Sequence, residues 1–250
     1  MIFRKFNSLF IGHFQALFSE ESLVHGFSTR FGGVSPSPFD SLNLGVNTED
    51  KIRNIQLNQN RFLNALDIPK SRLAIPRQIH NDRVEYVETP GRVFESDALI
   101  TNRTEIALSI QVADCVPIFL YEPSVPCIGL IHAGWKGTAL NISKNTVLAM
   151  SRHFHADPGL IQAFIGPSIG PCCYHVGPEV LNHFTSVTAD SCLDLWQVNI
   201  SQMQSAGIQP DHIESSGICT RCNSGFFFSY RASRGVTGRM MAVIMLRKQD

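Results

Sequence analysis

The stretch that most constrains the fold runs from residue 106 to residue 138 and reads IALSIQVADCVPIFLYEPSVPCIGLIHAGWKGT. It contains three apolar runs of strand length, separated by segments that carry aspartate, proline and serine. Runs of this length bounded by turn formers are typical of short buried strands. Cys115 and His132 stand at or near strand ends, and a glycine-rich turn, residues 134–138, leads into a helical pattern. We therefore expect a sheet here whose strand ends carry the active site.

The other elements mix helices and strands without regular alternation. Apolar spacing and turn residues predict further strands at 24–29, 73–79, 83–87, 97–101, 161–165, 226–230 and 242–246, with 73–79 and 83–87 as a strand pair. They predict helices at 50–66, after 138, at 178–184 and at 194–206, the last between a capping Asp194 and a terminating Gly207. The sequence thus predicts a mixed α/β (α+β) fold, not a doubly wound sheet, in a single domain over residues 1–250.

Charge and apolar patterning narrow the classes of partner. Lysine plus arginine and aspartate plus glutamate both number 21, so no basic excess argues for nucleic acid and a small molecule is the expected ligand. No apolar run approaches the roughly 20 residues that span a bilayer, so we expect no membrane association. The amino-terminal residues lack a signal-peptide pattern, and seven cysteines without one favour reduced thiols in the cytoplasm. The sequence makes no prediction of oligomeric state.

The residues His80, Cys115 and His132 each lie at the end of an apolar strand, where side chains can leave the core and meet. Two imidazoles and a thiolate are a three-ligand set for zinc, and the open fourth position is what a catalytic site needs. The alternative is that each is a satisfied core or loop residue, because nine histidines and seven cysteines allow many such trios. Both interpretations stay open on residue types alone.

A second chemical feature is a set of groups close to this trio that could bind an anion. The turn at 134–138 supplies a helix start and Lys136 within a few residues of His132, and helix N-termini attract anions. Arg231, Arg234 and Arg239 share one later loop and could hold phosphate or a carboxylate bidentately. The alternative for residues 134–138 is that the glycines only make a tight turn, and the alternative for the arginine loop is that it is solvated and binds nothing. The glycine spacing is not that of a Walker A loop.

Three further motifs contain cysteine or histidine. His212-Ile213-Glu214 followed by Cys219-x-x-Cys222 superficially matches the signature of zinc deaminases, but too few residues separate the two halves. Cys219-x-x-Cys222 alone would be half of a structural zinc site, yet no second such motif exists, so buried thiols are expected. Cys172-Cys173 is expected to pack beneath a rigid turn, with an exposed thiol at the mouth of a pocket as the alternative. His153-Phe154-His155 is expected to form an exposed helix end.

Nine blocks in order resemble the laccase-domain or multi-copper polyphenol oxidase family, whose members are now regarded as purine nucleoside phosphorylases and include peptidoglycan editing factors. The blocks are HGFSTRFGGVS (25–35), SLNLG (41–45), RQIHNDRV (77–84), ADCVPIFLY (113–121), HAGWKGT (132–138), IGPSIGPCCYHVG (165–177), LDLWQVN (193–199), CTRC (219–222) and FFSYR with TGRM (227–231, 237–240). They cover nearly the whole chain.

The resemblance implies a single domain of two packed mixed β-sheets flanked by helices, similar to toxin-type cysteine hydrolases. It implies that His80, Cys115 and His132 hold zinc, with copper as the older assignment, and that Asn43, Lys136 and Arg231 bind substrate. It also implies phosphorolysis of adenosine, inosine, guanosine and S-methyl-5′-thioadenosine, together with deamination of adenosine. The expected partners are therefore a purine nucleoside and phosphate.

Three positions depart from the family pattern, where arginine usually stands at 136, glutamate at 175 and a second arginine at 232. Lys136 keeps the charge but loses the bidentate fork, and His175 and Ala232 change the chemistry of their positions. Since the three metal-site residues are unaltered, we expect activity with a different ranking of substrates.

Three other functions remain open from the sequence. Cys115 could act as a nucleophile with His132 or His80 as base, giving an amide hydrolase that edits a peptidoglycan precursor. A copper polyphenol oxidase is the second, although a multi-copper centre needs several His-x-His pairs and the chain has one. A non-enzymatic binding module is the third.

Overall fold

A computed structural model describes residues 1–184 and 192–248. The described residues form thirteen strands: β1 (Ile2–Phe6), β2 (Leu9–His13), β3 (Leu23–Ser28), β4 (Leu73–Pro76), β5 (Val84–Tyr86), β6 (Gly91–Val93), β7 (Ala98–Thr101), β8 (Ala107–Val112), β9 (Val116–Glu122), β10 (Cys127–Ala133), β11 (Gln162–Ile165), β12 (Ile213–Ser215) and β13 (Met240–Leu246). The helices are α1 (Gln15–Phe18), α2 (Ile52–Ala65), α3 (Trp135–Ala139), α4 (Ile142–Phe154), α5 (Pro178–Leu181) and α6 (Leu195–Ser205). Short 3-10 turns lie at Lys70–Arg72, Pro158–Leu160 and Pro210–His212.

The strands build two mixed sheets. The first has the order β1-β2-β3-β13-β8-β4-β6 and the second the order β12-β11-β9-β10-β7-β5. Most neighbours are antiparallel, but β4–β6, β4–β8, β5–β7 and β11–β12 are parallel. One hydrophobic core takes side chains from both sheets, among them Leu108 and Ile244 from the first and Phe119 and Leu130 from the second. The predicted mixed α/β fold with two mixed sheets flanked by helices is confirmed.

The central strands are buried from end to end, which explains their continuous apolar sequence. Every residue of β9, β10 and β13 is buried, because helices or the opposite sheet cover both of their faces. The three strands expected between 106 and 138 are confirmed as β8, β9 and β10. They divide between the sheets, however, since β8 belongs to the first and β9 and β10 to the second. The chain therefore crosses from sheet to sheet at residues 113–115.

The predicted strand pair 73–79 with 83–87 is wrong. Both segments contain strands, but β4 lies in the first sheet beside β6 and β8, whereas β5 lies in the second beside β7. The local cause is the loop between them, in which His80 has a left-handed φ of +60° and the backbone N–H groups of residues 79–81 donate to one buried carboxylate. The short connection is therefore a second crossing between sheets and not a hairpin.

Two other expectations need correction. Residues 226–230 do not form a strand, because the amides of Phe226 and Phe227 donate to the carbonyl of Asn223 in a turn, and the Phe228 amide meets the sulfur of Met240. Burial of the phenylalanine rings, not ladder pairing, accounts for this apolar run. The predicted helix 178–184 is real but ends at Leu181.

Helix boundaries otherwise follow the sequence signals. The Asp194 carboxylate accepts the Gln197 amide at 3.0 Å and starts α6, and Gly207 with φ of +108° follows its end, as predicted. Along α4, Val147, Met150 and Phe154 are buried, whereas Leu140 precedes the helix and is 51% exposed. Among the described residues, no helix has the length and apolarity to cross a membrane.

Candidate metal centre and active-site pocket

Two crossings between the sheets and the end of β10 bring the predicted trio together. His80 lies in the crossing after β4, Cys115 lies in the crossing before β9, and His132 is near the end of β10. One ligand atom from each lies within 4.8 Å of the other two, and the imidazole centroids are 4.8 Å apart. The structure therefore brings together three potential ligands, although His80 and Cys115 are 35 positions apart in the chain and Cys115 and His132 are 17 positions apart.

Asp97 organises this centre, and the sequence analysis did not identify it. Its carboxylate is fully buried in the third crossing, between β6 and β7, and it accepts the Nδ1–H of His132 at 2.7 Å. The same carboxylate accepts the backbone N–H groups of Ile79, His80 and Asn81 at 2.9–3.1 Å. Asp97 thus fixes the loop that carries one histidine and the tautomer of the other, which leaves Nε2 of His132 for a ligand or for Cys115.

The electrostatics favour an ionised thiol. Burial alone would raise the pKa of Cys115, but the charge of His132 and hydrogen bonds from His132 and His80 outweigh it and lower the pKa to about 6. Burial would in turn lower the pKa of His132, but the Cys115 thiolate and Asp97 raise it to about 9. The hydrogen bond from His132 likewise lowers the pKa of Asp97 against the effect of its burial. The pair is therefore a thiolate beside an imidazolium at neutral pH when no metal competes.

The backbone next to the ligands adopts an uncommon conformation. Asp114, directly before Cys115, has φ of +84°, in a region that non-glycine residues rarely occupy. Its carboxylate is held by the hydroxyls of Thr220 and Ser229 at 2.6 and 3.0 Å and by the Arg231 amide at 2.7 Å. These three bonds hold the peptide that presents Cys115, and conformations of this kind concentrate at functional sites.

The donor set and the space around it fit a metal ion. Two imidazoles and one thiolate are ligands that zinc and copper both accept, and the Asp97 bond to His132 is the outer-shell partner that metal-bound histidines usually have. A Cβ added at Gly134 would lie 3.1 Å from both the Cys115 sulfur and the His80 Cδ2, so the glycine leaves room for the ligands to approach. Gly134 also begins α3, which has only five residues.

A pocket of about 500 Å³ opens above the trio and has the size of a small-molecule site. Aromatic rings of Trp135, Tyr174 and Tyr230 contribute to its wall, and Arg231 and Arg239 bring guanidinium groups to it. The remaining lining residues include Asn47, Gln78, Gln111, Ala113, Ile169 and Leu195. The pocket therefore offers aromatic surface, two positive charges and the candidate ligands in one space.

The other predicted site residues are divided between this pocket and its surroundings. Arg231 lines the pocket, lies over the Tyr174 ring and donates to the His175 carbonyl at 2.6 Å. Lys136 is exposed beside the Trp135 ring and does not line the pocket. Asn43 is also outside the lining and is 0% exposed.

Asn43 shows how a buried residue supports the pocket from behind. The Asn43 side-chain oxygen accepts the amides of Gly45 and Arg239 at 3.0 and 2.9 Å, so it fixes the backbone of a pocket arginine. Of the three loop arginines considered in the sequence, Arg231 and Arg239 reach the pocket, and Arg234 does not line it. Of the departures from the family pattern, His175 and Ala232 are exposed, and His175 meets Arg231 only through its backbone carbonyl.

His212 and Glu214, which the sequence does not favour as a zinc-deaminase site, lie apart from the candidate metal ligands. Glu214 pairs with the amino terminus at 3.4 Å, and neither residue belongs to the metal-ligating groups found among the described residues. His153 and His155 are exposed at the end of α4, as predicted.

Replacing Asp97 by asparagine is expected to lower metal affinity by about 10- to 100-fold, the usual effect of losing an outer-shell carboxylate. Each carboxylate oxygen of Asp97 accepts two N–H groups, and asparagine replaces one of these oxygens by an NH₂ donor. Whichever oxygen is replaced, N–H groups of the loop at residues 79–81 or of the His132 ring lose their acceptor. Competition with a chromogenic chelator measures the affinity. Asp211→Asn, an exposed change, is the control, and equal affinities for both variants would refute the role given to Asp97.

Comparison with known proteins agrees with the motifs. Residues 24–247 match the family model described as multi-copper polyphenol oxidoreductase laccase. Purine nucleoside phosphorylase YlmD of Geobacillus stearothermophilus is 34% identical, with 90% of this chain and 91% of that protein covered. A purine nucleoside phosphorylase of Deinococcus radiodurans is 36% identical, with 92% and 91% covered. The crystal structure of YlmD from Geobacillus stearothermophilus superposes with a TM-score of 0.91 at 32% identity over 99% of each chain. This chain therefore belongs to the multi-copper polyphenol oxidoreductase laccase family.

Proposed function

We propose that the protein is a zinc-dependent purine nucleoside phosphorylase that uses adenosine, inosine, guanosine and S-methyl-5′-thioadenosine, and that it also deaminates adenosine. The observation that carries the proposal is the presence of His80, Cys115 and His132 in one pocket with Arg231 and Arg239. The names of two relatives at 34% and 36% identity support the reaction class. A cytoplasmic location is part of the proposal, because seven cysteines, an odd number, favour reduced thiols over a disulfide framework.

The chain's own residues supply binding and orientation for phosphorolysis. Arg231 and Arg239 would hold phosphate through their planar forks, and the rings of Trp135, Tyr174 and Tyr230 would receive the purine and exclude water. Phosphate oxygen then bonds to the ribose C1′ as the C1′–N9 bond breaks, and the electron pair leaves with the purine. Holding both reactants in this geometry is the main contribution of such a site.

A zinc ion held by His80, Cys115 and His132 would supply Lewis acidity and, near neutral pH, the hydroxide that deamination of adenosine requires. Asp97 would keep His132 in the ligating tautomer. Copper accepts the same donors, so elemental analysis of the purified protein decides between the metals.

The direct test is to incubate zinc-loaded protein with each of the four nucleosides, with and without phosphate, and to identify products by mass spectrometry. The proposal expects free base and ribose 1-phosphate, or 5-methylthioribose 1-phosphate from S-methyl-5′-thioadenosine, only when phosphate is present. It expects inosine from adenosine without phosphate. Release of base that ignores phosphate would indicate a hydrolase instead. No conversion of any nucleoside by the metal-loaded protein would refute the proposal.

A second candidate function is favoured by one alignment of side chains. The Cys115 sulfur and a ring nitrogen of His132 lie within 4.8 Å of each other, and His132 donates its Nδ1–H to Asp97. Nucleophile, base and orienting carboxylate in this order form the arrangement of cysteine hydrolases. The substrate of such an enzyme would be an amide, for which a peptidoglycan precursor is the proposed source.

Alkylation of Cys115 separates the two candidates. Because its pKa is lowered to about 6, the metal-free protein is expected to react rapidly with iodoacetamide, with a midpoint near pH 6. Zinc-loaded protein is expected to resist, since the thiolate is then a ligand. Peptide mass mapping identifies the modified cysteine. Equally fast alkylation of Cys115 in metal-loaded and metal-free protein would contradict its role as a ligand and support the hydrolase.

A further inference from the structure

We propose that Cys172, Cys173, Cys219 and Cys222 form a second metal site, a structural four-thiolate zinc site separate from the histidine-containing centre. The four sulfur atoms all lie within 4.8 Å of one another. Cys222 is 3.6 Å from Cys172 and 3.4 Å from Cys173. The inference stands on this cluster alone and does not depend on the proposed activity.

The spacing of the sulfurs suits one tetrahedral ion. A zinc–sulfur bond of about 2.3 Å places the corners of a tetrahedron about 3.8 Å apart, which is within the spread of this cluster. The sulfur distances are much longer than the roughly 2.0 Å of a disulfide bond. An iron–sulfur cluster would need the cysteines farther apart, because its own iron and sulfide atoms lie between them.

One hydrogen bond to the sulfurs is of the kind that thiolate ligands use. The Gly170 amide donates to the Cys219 sulfur at 3.3 Å. Arg221 lies beside the cluster, and its interaction with Cys173 raises the pKa of the guanidinium. An N–H donor on the first cysteine of a Cys-x-x-Cys turn and one adjacent cation stabilise negative charge on sulfur. Four thiolates around one divalent ion keep a net negative charge, which Arg221 partly offsets.

The fold explains why the sequence does not reveal this site. The sequence has no second Cys-x-x-Cys motif, and the partner of the first is instead the adjacent pair Cys172-Cys173 on the proline- and glycine-rich loop. Backbone bonds join the two loops, since Ser168 donates to the Ile218 carbonyl and the Thr220 amide donates to Ser168. The expectation of buried thiols at Cys219 and Cys222 is wrong for Cys222, which is exposed, and Cys172 is exposed as well. An ion there would lie at the surface, where it can load from solution.

The cluster joins segments that shape the pocket. Thr220, inside the Cys-x-x-Cys turn, holds the Asp114 carboxylate at 2.6 Å, and Asp114 precedes Cys115. On the other loop, the Ile169 amide donates to the Asp114 carbonyl, and Ile169 and Tyr174 line the pocket. A metal at the four cysteines would therefore fix one wall of the pocket without touching the substrate.

Elemental analysis of protein purified without reductant tests the proposal. We expect two zinc equivalents per chain in the wild type and one in the Cys172→Ser/Cys222→Ser variant, with the remaining ion bound by the histidine-containing centre. Cys192→Ser, which removes a cysteine outside both groups, is the control and should keep both equivalents. The reciprocal variant His80→Asn should lose the other equivalent and keep the four-thiolate ion. Replacement of zinc by cobalt should give thiolate charge-transfer absorption that the double cysteine variant reduces.

A measurement on the wild type guards against a variant that fails to fold. Titration with a mercurial should release one zinc equivalent as these four cysteines react, as followed with a metal-sensitive dye and peptide mapping. One zinc equivalent in the wild type, with these cysteines freely alkylated, would overturn the proposal. One equivalent with a disulfide between Cys222 and Cys172 or Cys173 would overturn it equally and assign the cluster to redox chemistry.

Discussion

Replacing His80 by asparagine is expected to remove one metal equivalent and to lower nucleoside phosphorolysis by more than about 100-fold, because outer-shell changes alone cost 10- to 100-fold. The change deletes one of the three candidate ligand side chains. Asparagine is preferred to alanine because position 80 has φ of +60°, which asparagine tolerates better than most residues. The loop should therefore keep its hydrogen bonds to Asp97. Metal content and product formation are measured on the same preparation.

The matched control is His153→Asn, which alters an exposed histidine at the end of α4. It should retain the metal and the wild-type rate. Circular dichroism and thermal unfolding of both variants show whether the fold is intact. A His80→Asn protein that lacks the metal yet keeps full activity would refute the proposed centre, whereas loss of activity with the metal retained would move His80 from ligand to general base.

Lowering the pH from about 6.5 to 4 is expected to destabilise the fold by about 3 kcal/mol through His13 alone, with a further contribution from His25. Burial lowers the pKa of His13 to about 4, with Arg4 adding to the effect, and burial with the neighbouring His13 lowers the pKa of His25 to about 3. Between these values and 6.5 the unfolded chain binds more protons than the folded one. Stability is therefore present near neutral pH and is lost as the pH falls.

The hydrogen bonds give the structural reason for this sensitivity. The His25 Nε2 accepts the Phe14 amide at 2.9 Å and cannot do so when protonated. The His13 Nδ1 donates to the His25 carbonyl at 3.0 Å, and its buried Nε2 has no hydrogen-bond partner, so a proton there would be unsatisfied. The two rings are 5.4 Å apart, which disfavours charging both.

Urea unfolding at several pH values measures this effect, with His13→Gln as the test variant. Glutamine does not titrate and can still donate to the His25 carbonyl, so the stability of the variant should fall less steeply below pH 6.5. Subtracting its curve from that of the wild type cancels contributions from the metal centre and the carboxylates. The control His153→Asn should keep the wild-type slope, and identical curves for His13→Gln and the wild type would contradict the prediction.

The three candidate metal ligands could be proposed from the sequence because residue type and position both indicated them. His80, Cys115 and His132 are the kind of ligands zinc uses, and each follows or ends an apolar run. The role of Asp97 could not be inferred from the sequence, because an aspartate before a strand looks the same in sequence whether it caps a turn or accepts four hydrogen bonds. Only its burial with all four bonds reveals the role.

Long-range pairing was the part that the sequence could not supply. The strand character of residues 73–76 and 84–86 was correctly predicted, but strand propensity does not state which sheet a strand joins. The same limit applies to the cysteines, because 45 residues separate Cys173 from Cys219 and no local sequence pattern predicts that their loops are in contact. The apolar run 226–230 shows a different error, because phenylalanine rings that are buried in a turn give the same apolar sequence as a strand.

The three crossings between the sheets have a consequence for metal selectivity. His80, Asp97 and Cys115 are each carried by a link that leaves the seven-stranded layer and enters the six-stranded one. Ligand spacing is therefore tied to the thickness of the interior between the layers, to which Phe119 and Leu130 contribute. Bond lengths to an ion tolerate only about 0.2 Å, so a volume change at such an interior position would alter which ion is preferred, although no ligand had been touched.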